Sequence, residues 1–193
     1  VNFFEHQFPE MRDIPSTARS PQQMFGSIAK TYFADKLGLK RENVVVVSIM
    51  PCLAKKYECS RDEFKVEGNP DVDFAVSTRE LAHLIKQSNI DFTSLPDEDF
   101  DKPLGESSGA AVIFGVTGGV IEAATRTAYE IFTDKKLEKV DFEQLRGMDS
   151  VRSAVVDFDG TPIRIGIAHG LGNARKLLED IREGKADFHA IEI

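Results

Sequence analysis

One cysteine stands where chemistry is usually placed. In Met50-Pro51-Cys52-Leu53-Ala54-Lys55-Lys56-Tyr57-Glu58 a thiol follows directly on the β-branched run of residues 43–50. Open α/β sheets bind their ligands at the carboxyl ends of parallel strands. A thiolate at that edge suits soft metals and iron–sulfur clusters, and Lys55 is placed to lower its pKa and to meet an anionic ligand. The plainer use is open too: free cysteines are among the most buried side chains, and Cys52 serves equally as a small core residue. If Cys52 and Cys59 lie on one helix they share a face about 10 Å apart along the axis. Both cannot then bind one small ion. There is no Cys-x-x-Cys, and the histidines at 6, 83, 169 and 189 have no ligand spacing, so a self-contained zinc site is not expected.

Two glycine loops are the other chemical candidates. Gly115-Val-Thr-Gly-Gly119 and Gly170-Leu-Gly172 each lead into an apolar-periodic stretch, and such junctions expose backbone N–H groups that can hold an anion. They would support a nucleotide- or phosphate-binding α/β module. The Walker lysine is absent and neither loop fits Gly-x-Gly-x-x-Gly, which makes ordinary turns the stronger reading. His169 is a candidate base, or a histidine simply hydrogen-bonded beside a turn.

The elements that must position these residues alternate between helix and strand. Ser20-Pro21-Gln22-Gln23 has the order of a capping box with proline at N1, opening a helix to about Leu37 that Gly38 ends. Residues 43–50 then read as a parallel strand buried on both faces. Residues 60–71 form a charged surface loop. A strand follows at Val72–Val76, with a helix capped by Ser77 or Thr78 running to Gln87. The acidic stretch from Asn89 to Gly109 carries no assigned element. Ala110–Phe114 reads as a strand, Val120 to Thr133 as a helix, and Asp159-Gly160 as the turn of a hairpin between Val151–Phe158 and Ile163–Ala168. A helix ending at Gly184 and a strand over 188–193 complete the chain. The expected fold is α/β, with a largely parallel sheet flanked by helices and one antiparallel hairpin.

A length of 193 residues with 41% hydrophobic content suits a single domain or two small lobes, and one compact unit is expected. The formal charge of −8 argues against a general electrostatic grip on nucleic acid or an anionic membrane. No apolar run approaches the roughly 20 residues of a membrane span, and no export signal is present. Two cysteines cannot build a disulfide framework, which favours a reducing, cytoplasmic setting. A start at Val1 and a stop at Ile193, inside a strand, suggest a piece of a longer chain.

Taken in order, Ser20-Pro-Gln-Gln23, Met50-Pro-Cys-Leu-Ala-Lys-Lys-Tyr-Glu58, Phe114-Gly-Val-Thr-Gly-Gly-Val-Ile-Glu-Ala-Ala124 and Ala168-His-Gly-Leu-Gly-Asn-Ala174 resemble the catalytic domain of iron-only (FeFe) hydrogenases. The resemblance implies a parent enzyme that reversibly reduces protons to H2 with electrons from ferredoxin or a similar carrier. It implies the H-cluster, a 4Fe-4S cubane joined through a cysteine sulfur to a two-iron unit bearing CO and cyanide. Cys52 would ligate the cubane and Lys55 would hydrogen-bond a cyanide. Ser20, Pro21 and Gln22 would line the pocket, Met50 and Phe114 would supply its apolar wall, and Ser16 would relay protons. The family's upstream double-cysteine segment and downstream glycine-rich cysteine segment have no counterpart here. Residues 1–193 therefore resemble the central part of the domain, expected to be inactive alone and to need the remaining hydrogenase segments. Cys59 matches no cluster ligand. A non-hydrogenase relative acting in sensing or iron–sulfur assembly shares the same motifs.

Overall fold

The computed structural model describes residues 1–106, 109–141 and 151–193, with the backbone of Glu143 and Gln144. The chain is a mixed α/β fold that divides into two compact units, Val1–Gly105 and Glu106–Ile193, where one had been expected. Each unit has its own core. The acidic stretch after Gln87 forms only a 3-10 turn at Phe92–Ser94 among its described residues, so it offers no strand or helix on which a single core could grow. Residues 107 and 108 of that stretch lie outside the described residues.

In the first unit, α1 (Asn2–Gln7) gathers Phe3 and Phe4 around the buried Phe8, with ring centroids 5.5 and 6.2 Å from it. Helix α2 (Pro21–Ile28) opens where expected but with half of the capping box: Ser20 Oγ accepts from Gln23 N at 3.3 Å and Pro21 fills N1, where no N–H is needed, while Gln23 Oε1 is buried without a hydrogen-bond partner. The helix continues through a π turn at Ala29–Phe33 into α3 (Ala34–Lys36), and Gly38 ends it at φ +67°. Lys30, on the π turn, is 1% exposed. Its ammonium donates to Asn69 Oδ1 at 3.3 Å, Pro70 O at 2.8 Å and Asp73 Oδ1 at 2.8 Å, which satisfies all three of its protons.

Five further elements follow: β1 (Val47–Ile49), α4 (Ala54–Ser60), β2 (Lys65–Val66), β3 (Asn69–Pro70) and β4 (Phe74–Val76). Helix α5 (Thr78–Gln87) closes the unit with a complete capping box between Ser77 and Glu80. β1 pairs in parallel with β4, Val47 opposite Phe74 and Ile49 opposite Val76. The strand is shorter than the run 43–50 and is not buried on both faces, because Val45, Val47 and Ile49 are 63%, 53% and 53% exposed. A strand with one neighbour has too few layers around it to cover both sides. The 60–71 stretch, expected as a loop, carries the two-residue β2–β3 ladder.

The second unit is the more regular. The run Ala110–Phe114 is not a strand: Ala110–Ile113 form α6, and Phe114 caps it. Four apolar residues cannot by periodicity distinguish strand from helix, and here the following turns continue the winding, Val116 N to Ile113 O at 3.2 Å and Gly119 N to Val116 O at 2.9 Å. The glycine loop thus joins α6 to α7 (Gly119–Thr133). Gly119 is required there, since a Cβ would lie 1.7 Å from Ile113 O. The four-stranded sheet runs β5 (Glu143–Gln144), β6 (Val151–Phe158), β7 (Thr161–Ala168) and, after α8 (Leu171–Arg182), β8 (Ala190–Glu192). β6 and β7 form the expected hairpin, with Asp159 and Gly160 at φ +49° and +94°, while β8 joins β7 in parallel. Strand alternation sends Ala154, Ile165 and Ile167 to a core shared with Ile121 of α7, and Val151 and Ala168 to one shared with Leu177 of α8. The sheet is covered on both faces.

Candidate functional site

Strand β1 delivers the chain to Met50, whose N–H still bonds Val76 O at 2.9 Å, and Pro51 then ends the ladder because it has no N–H to give. Cys52 is consequently presented at the carboxyl end of a parallel strand, and it is exposed. The reading of Cys52 as a small core residue is thereby removed. Lys55 N donates to Cys52 O at 3.3 Å, winding the chain into α4. The next turns place Lys55, Glu58 and Cys59 toward α2.

Glu58 is the hub of that contact. Its Oε2 accepts from Ser20 Oγ at 2.8 Å and from Gln22 Nε2 at 3.1 Å, and its Oε1 accepts from Lys55 Nζ at 3.2 Å. Gln22 is 6% exposed, and its amide is oriented from the other end by Ser48 Oγ, which donates to Oε1 at 2.6 Å. The amide nitrogen faces Cys59 Sγ at 3.2 Å as well. Cys59 is a different kind of thiol from Cys52. Burial and then the negative charge of Glu58 push its pKa up, which favours the thiol over the thiolate.

The structure thus joins Ser20, Gln22, Lys55 and Glu58 directly, with Met50 and Cys52 on the adjoining strand end. Pro21 is exposed at the first turn of α2. Ser16 is exposed, and its Oγ accepts from Ala18 N at 3.1 Å; it makes no hydrogen bond to the Glu58 group. Phe114 belongs to the second unit, where it is 41% exposed and lines a cavity of about 430 Å³ with Thr117, His169 and Glu192. His169 Nδ1 lies 3.0 Å from Thr117 Oγ1. Donors of the glycine loop before α7 are already engaged: Gly118 N and Ile121 N both bond the carboxylate of Glu192, at 2.8 and 2.7 Å. An anion already caps that helix from within the chain, which argues against a phosphate there. Neither Glu58's central place nor Glu192's cap was read from the sequence. Glu58 was within reach as the third member of the Cys-x-x-Lys-x-x-Glu spacing.

The donor set bears on which group fits. Among the described residues no three His, Cys, Asp or Glu side chains cluster to hold a metal ion. One exposed thiol, beside a lysine whose ammonium is oriented by a carboxylate, fits one ligand position of an anionic iron–sulfur group whose other ligands come from elsewhere.

Fold and site together define an α/β domain with one exposed thiol at the carboxyl end of a parallel strand and, a turn further on, a lysine oriented by a carboxylate. The family model for the iron-only hydrogenase large subunit, C-terminal domain, matches residues 1–193, and the chain belongs to that family. It is 67% identical to the NADP-reducing hydrogenase subunit HndD of Solidesulfovibrio fructosivorans, covering all of this chain and 33% of that protein. It is 45% identical to the periplasmic Fe hydrogenase large subunit of Nitratidesulfovibrio vulgaris, over 98% of this chain and 45% of the relative. A probable cytosolic Fe-S cluster assembly factor of Nematostella vectensis is 32% identical over 92% of this chain and 42% of its own length. Among solved structures, an apo FeFe hydrogenase from Chlamydomonas reinhardtii superimposes with a TM-score of 0.82 at 34% identity, covering 99% of this chain and 55% of that one. The chain spans a third to just under half of the curated hydrogenases it matches.

Proposed function

We propose that residues 1–193 are the central part of the H-cluster domain of an FeFe hydrogenase, a parent enzyme that reversibly reduces protons to H2 with electrons from ferredoxin or a similar carrier. The observation that carries this reading is the exposed thiol of Cys52 at the end of β1, next to the Lys55–Glu58 pair. When bound, the H-cluster supplies the redox chemistry. The residues of this chain hold, orient and shield. Cys52 gives one thiolate to the cubane. Glu58 fixes the ammonium of Lys55, whose remaining N–H bonds are available to a cyanide, a use that suits a compact cation with three donors. Ser20 and Gln22 brace Glu58 from behind, Pro21 lines the same pocket, and Met50 supplies apolar wall. Ser16 Oγ accepts a proton as it passes its own onward.

The remaining hydrogenase segments supply the other cluster ligands. Among the described residues no helix is long and apolar enough to cross a membrane. We place the parent in the cytoplasm, since the two cysteines of residues 1–193 are free thiols, as a reducing compartment keeps them. The assembly-factor reading is less well supported, since those relatives share 28–32% identity where the hydrogenases share 34–67%. The test is Cys52→Ser in the full-length parent. A hydroxyl is a harder and far less acidic ligand than a thiol, so iron content and H2 evolution are expected to fall together. Unchanged iron and turnover would remove Cys52 from the ligand set. Full iron loading of the unaltered parent with no H2 evolution would favour the assembly reading.

A further inference from the structure

An ion pair on a buried carboxylate stands beside the proposed site and belongs to none of its assigned roles. Asp71 is 0% exposed, with its Oδ2 held by Arg19 Nη1 and its Oδ1 by Arg41 Nη2 at 2.7 Å. Its backbone is fixed as well. Asp71 N donates to Phe64 O at 2.9 Å, and α2 lies so close that a Cβ on Gly26 would come within 2.5 Å of Asp71 O. The guanidinium of Arg19 also sits 5.5 Å from the centre of the Phe64 ring. Arg19 is therefore clamped between a buried carboxylate and an aromatic face.

What the clamp holds is the segment between Met11 and α2. Residues 12–20 contain no helix or strand, and between Met11 and Arg19 their bonds are few and local: Arg12 Nε to Pro9 O at 3.0 Å, Ile14 N to Met11 O at 3.1 Å and Ala18 N to Ser16 Oγ at 3.1 Å, with Ser20 already part of the α2 cap. The bond from Ala18 ties Ser16 to the residue just before Arg19. It uses one lone pair of Oγ and leaves the hydroxyl proton and the other lone pair for exchange, as a relay needs. Without an anchor at Arg19 such a segment samples many orientations, and displacements of about 1 Å are enough to slow a transfer on the order of a hundredfold.

We propose that Asp71 and Arg19 are positioning residues for proton delivery, their ion pair holding the 12–20 segment so that the Ser16 hydroxyl keeps one orientation. The inference rests on the reading of Ser16 as a relay. Through each transfer Ser16 gains a proton at Oγ and gives up its own, so its charge does not change.

The experiment is a double-mutant cycle in the full-length parent, with Ser16→Ala, Arg19→Gln and the pair combined. Iron content, infrared CO and cyanide bands, and H2 evolution in H2O and D2O are measured for each. Arg19→Gln is expected to keep iron and bands, to lose about tenfold in turnover and to show a larger solvent isotope effect, with Arg19→Lys recovering most of the rate. The combined variant is expected to be no slower than Ser16→Ala alone. Arg19→Gln slowing the Ser16→Ala background by the same factor as the parent would overturn the inference, and so would iron lost in step with rate. Ser16→Ala turning over at the parental rate with full iron would instead remove the relay reading itself. Should Arg19→Gln not accumulate, Phe64→Leu, which withdraws the ring but leaves the ion pair, carries the same cycle.

Discussion

Ser20 and Glu58 are joined by a 2.8 Å hydrogen bond in which the capping serine of α2 donates to the carboxylate that also receives Lys55. One hydroxyl therefore couples the start of a helix to the orientation of a cation across 38 residues of sequence. Glu58→Gln keeps the shape and removes the charge. A hydrogen bond to a charged group is worth about 1.5–3 kcal/mol, so in the full-length parent the cyanide bands are expected to shift and turnover to fall about ten- to a hundredfold. Iron content, which depends on Cys52, is expected to stay. Parental bands and rate in this variant would mean that Lys55 does not depend on Glu58.

Lys30 offers a test of the fold away from the chemistry. Its side chain is 0% exposed, and the charge it neutralises, Asp73, is only 17% exposed. Asp73 also accepts from Val46 N at 2.7 Å, so the pair links the π turn to the start of β1. Lys30→Met would strand a largely buried carboxylate. The expected cost is about 3–5 kcal/mol, read as a lower urea midpoint of the 193-residue chain. A loss below about 1 kcal/mol would show that Asp73 finds water or another donor once the lysine is gone.

Glu80 should make α5 acid-sensitive. The Lys56 ammonium first, and then the backbone and hydroxyl of Ser77, hold its carboxyl down from 4.5 to about 2. A carboxylate depressed in the folded state stabilises above its unfolded pKa and loses that contribution as pH falls through the folded value. The stability difference between the parent chain and Glu80→Gln is therefore expected to be full above about pH 4.5 and to shrink toward pH 2. Glu80 is exposed, so the effect is small and weakens with added salt. A difference that stays constant over that range, measured by urea melts at low ionic strength, would contradict the assignment.

Local signals were legible and long-range ones were not. The start of α2 at Ser20-Pro21, the cap at Ser77 and the turn at Asp159-Gly160 act within four residues of themselves and formed as read, whereas the complete capping box stands at Ser77–Glu80 and not at Ser20–Gln23. The Met-Pro-Cys segment was legible for the same reason, since a strand, a proline stop and a helix start are consecutive. The burial of residues 43–50 was misjudged because it depends on how many strands lie beside β1, which the run itself does not state. Ala110–Phe114 was misjudged because its winding is decided by packing against Gly119. The Arg19–Asp71 pair spans 52 residues and the Glu192 cap 74. No spacing rule joins an aspartate in a charged stretch to an arginine before a helix, or a strand-end glutamate to a distant helix start.

The last prediction concerns the 193-residue chain by itself, which is expected to fold yet to show no hydrogenase activity and to bind no six-iron cluster. It offers one exposed thiol, Cys52, while Cys59 is turned toward Gln22 with a raised pKa. Burial can still supply most of the stability. Each fully buried side chain of the Leu177, Leu178, Ile165 and Ile167 kind contributes about 1.5–3 kcal/mol, and none of them is among the residues assigned to the cluster. Protection from hydrogen exchange is expected to follow the packing rather than the β-branched composition. It should be strongest in the eight-residue pairing of β6 with β7, covered on both faces, and weaker in the three-residue pairing of β1 with β4. Residues 51–58 and the 12–20 segment, with no completed cluster beside them, are expected to exchange fastest among the site segments. The measurement is hydrogen exchange on the purified chain after anaerobic iron–sulfur reconstitution, with iron analysis and an H2 assay in parallel. Stoichiometric iron with turnover would show that the ligands missing here are not required, and exchange as fast in β6 and β7 as in residues 51–58 would show that the sheet does not form without the rest of the domain.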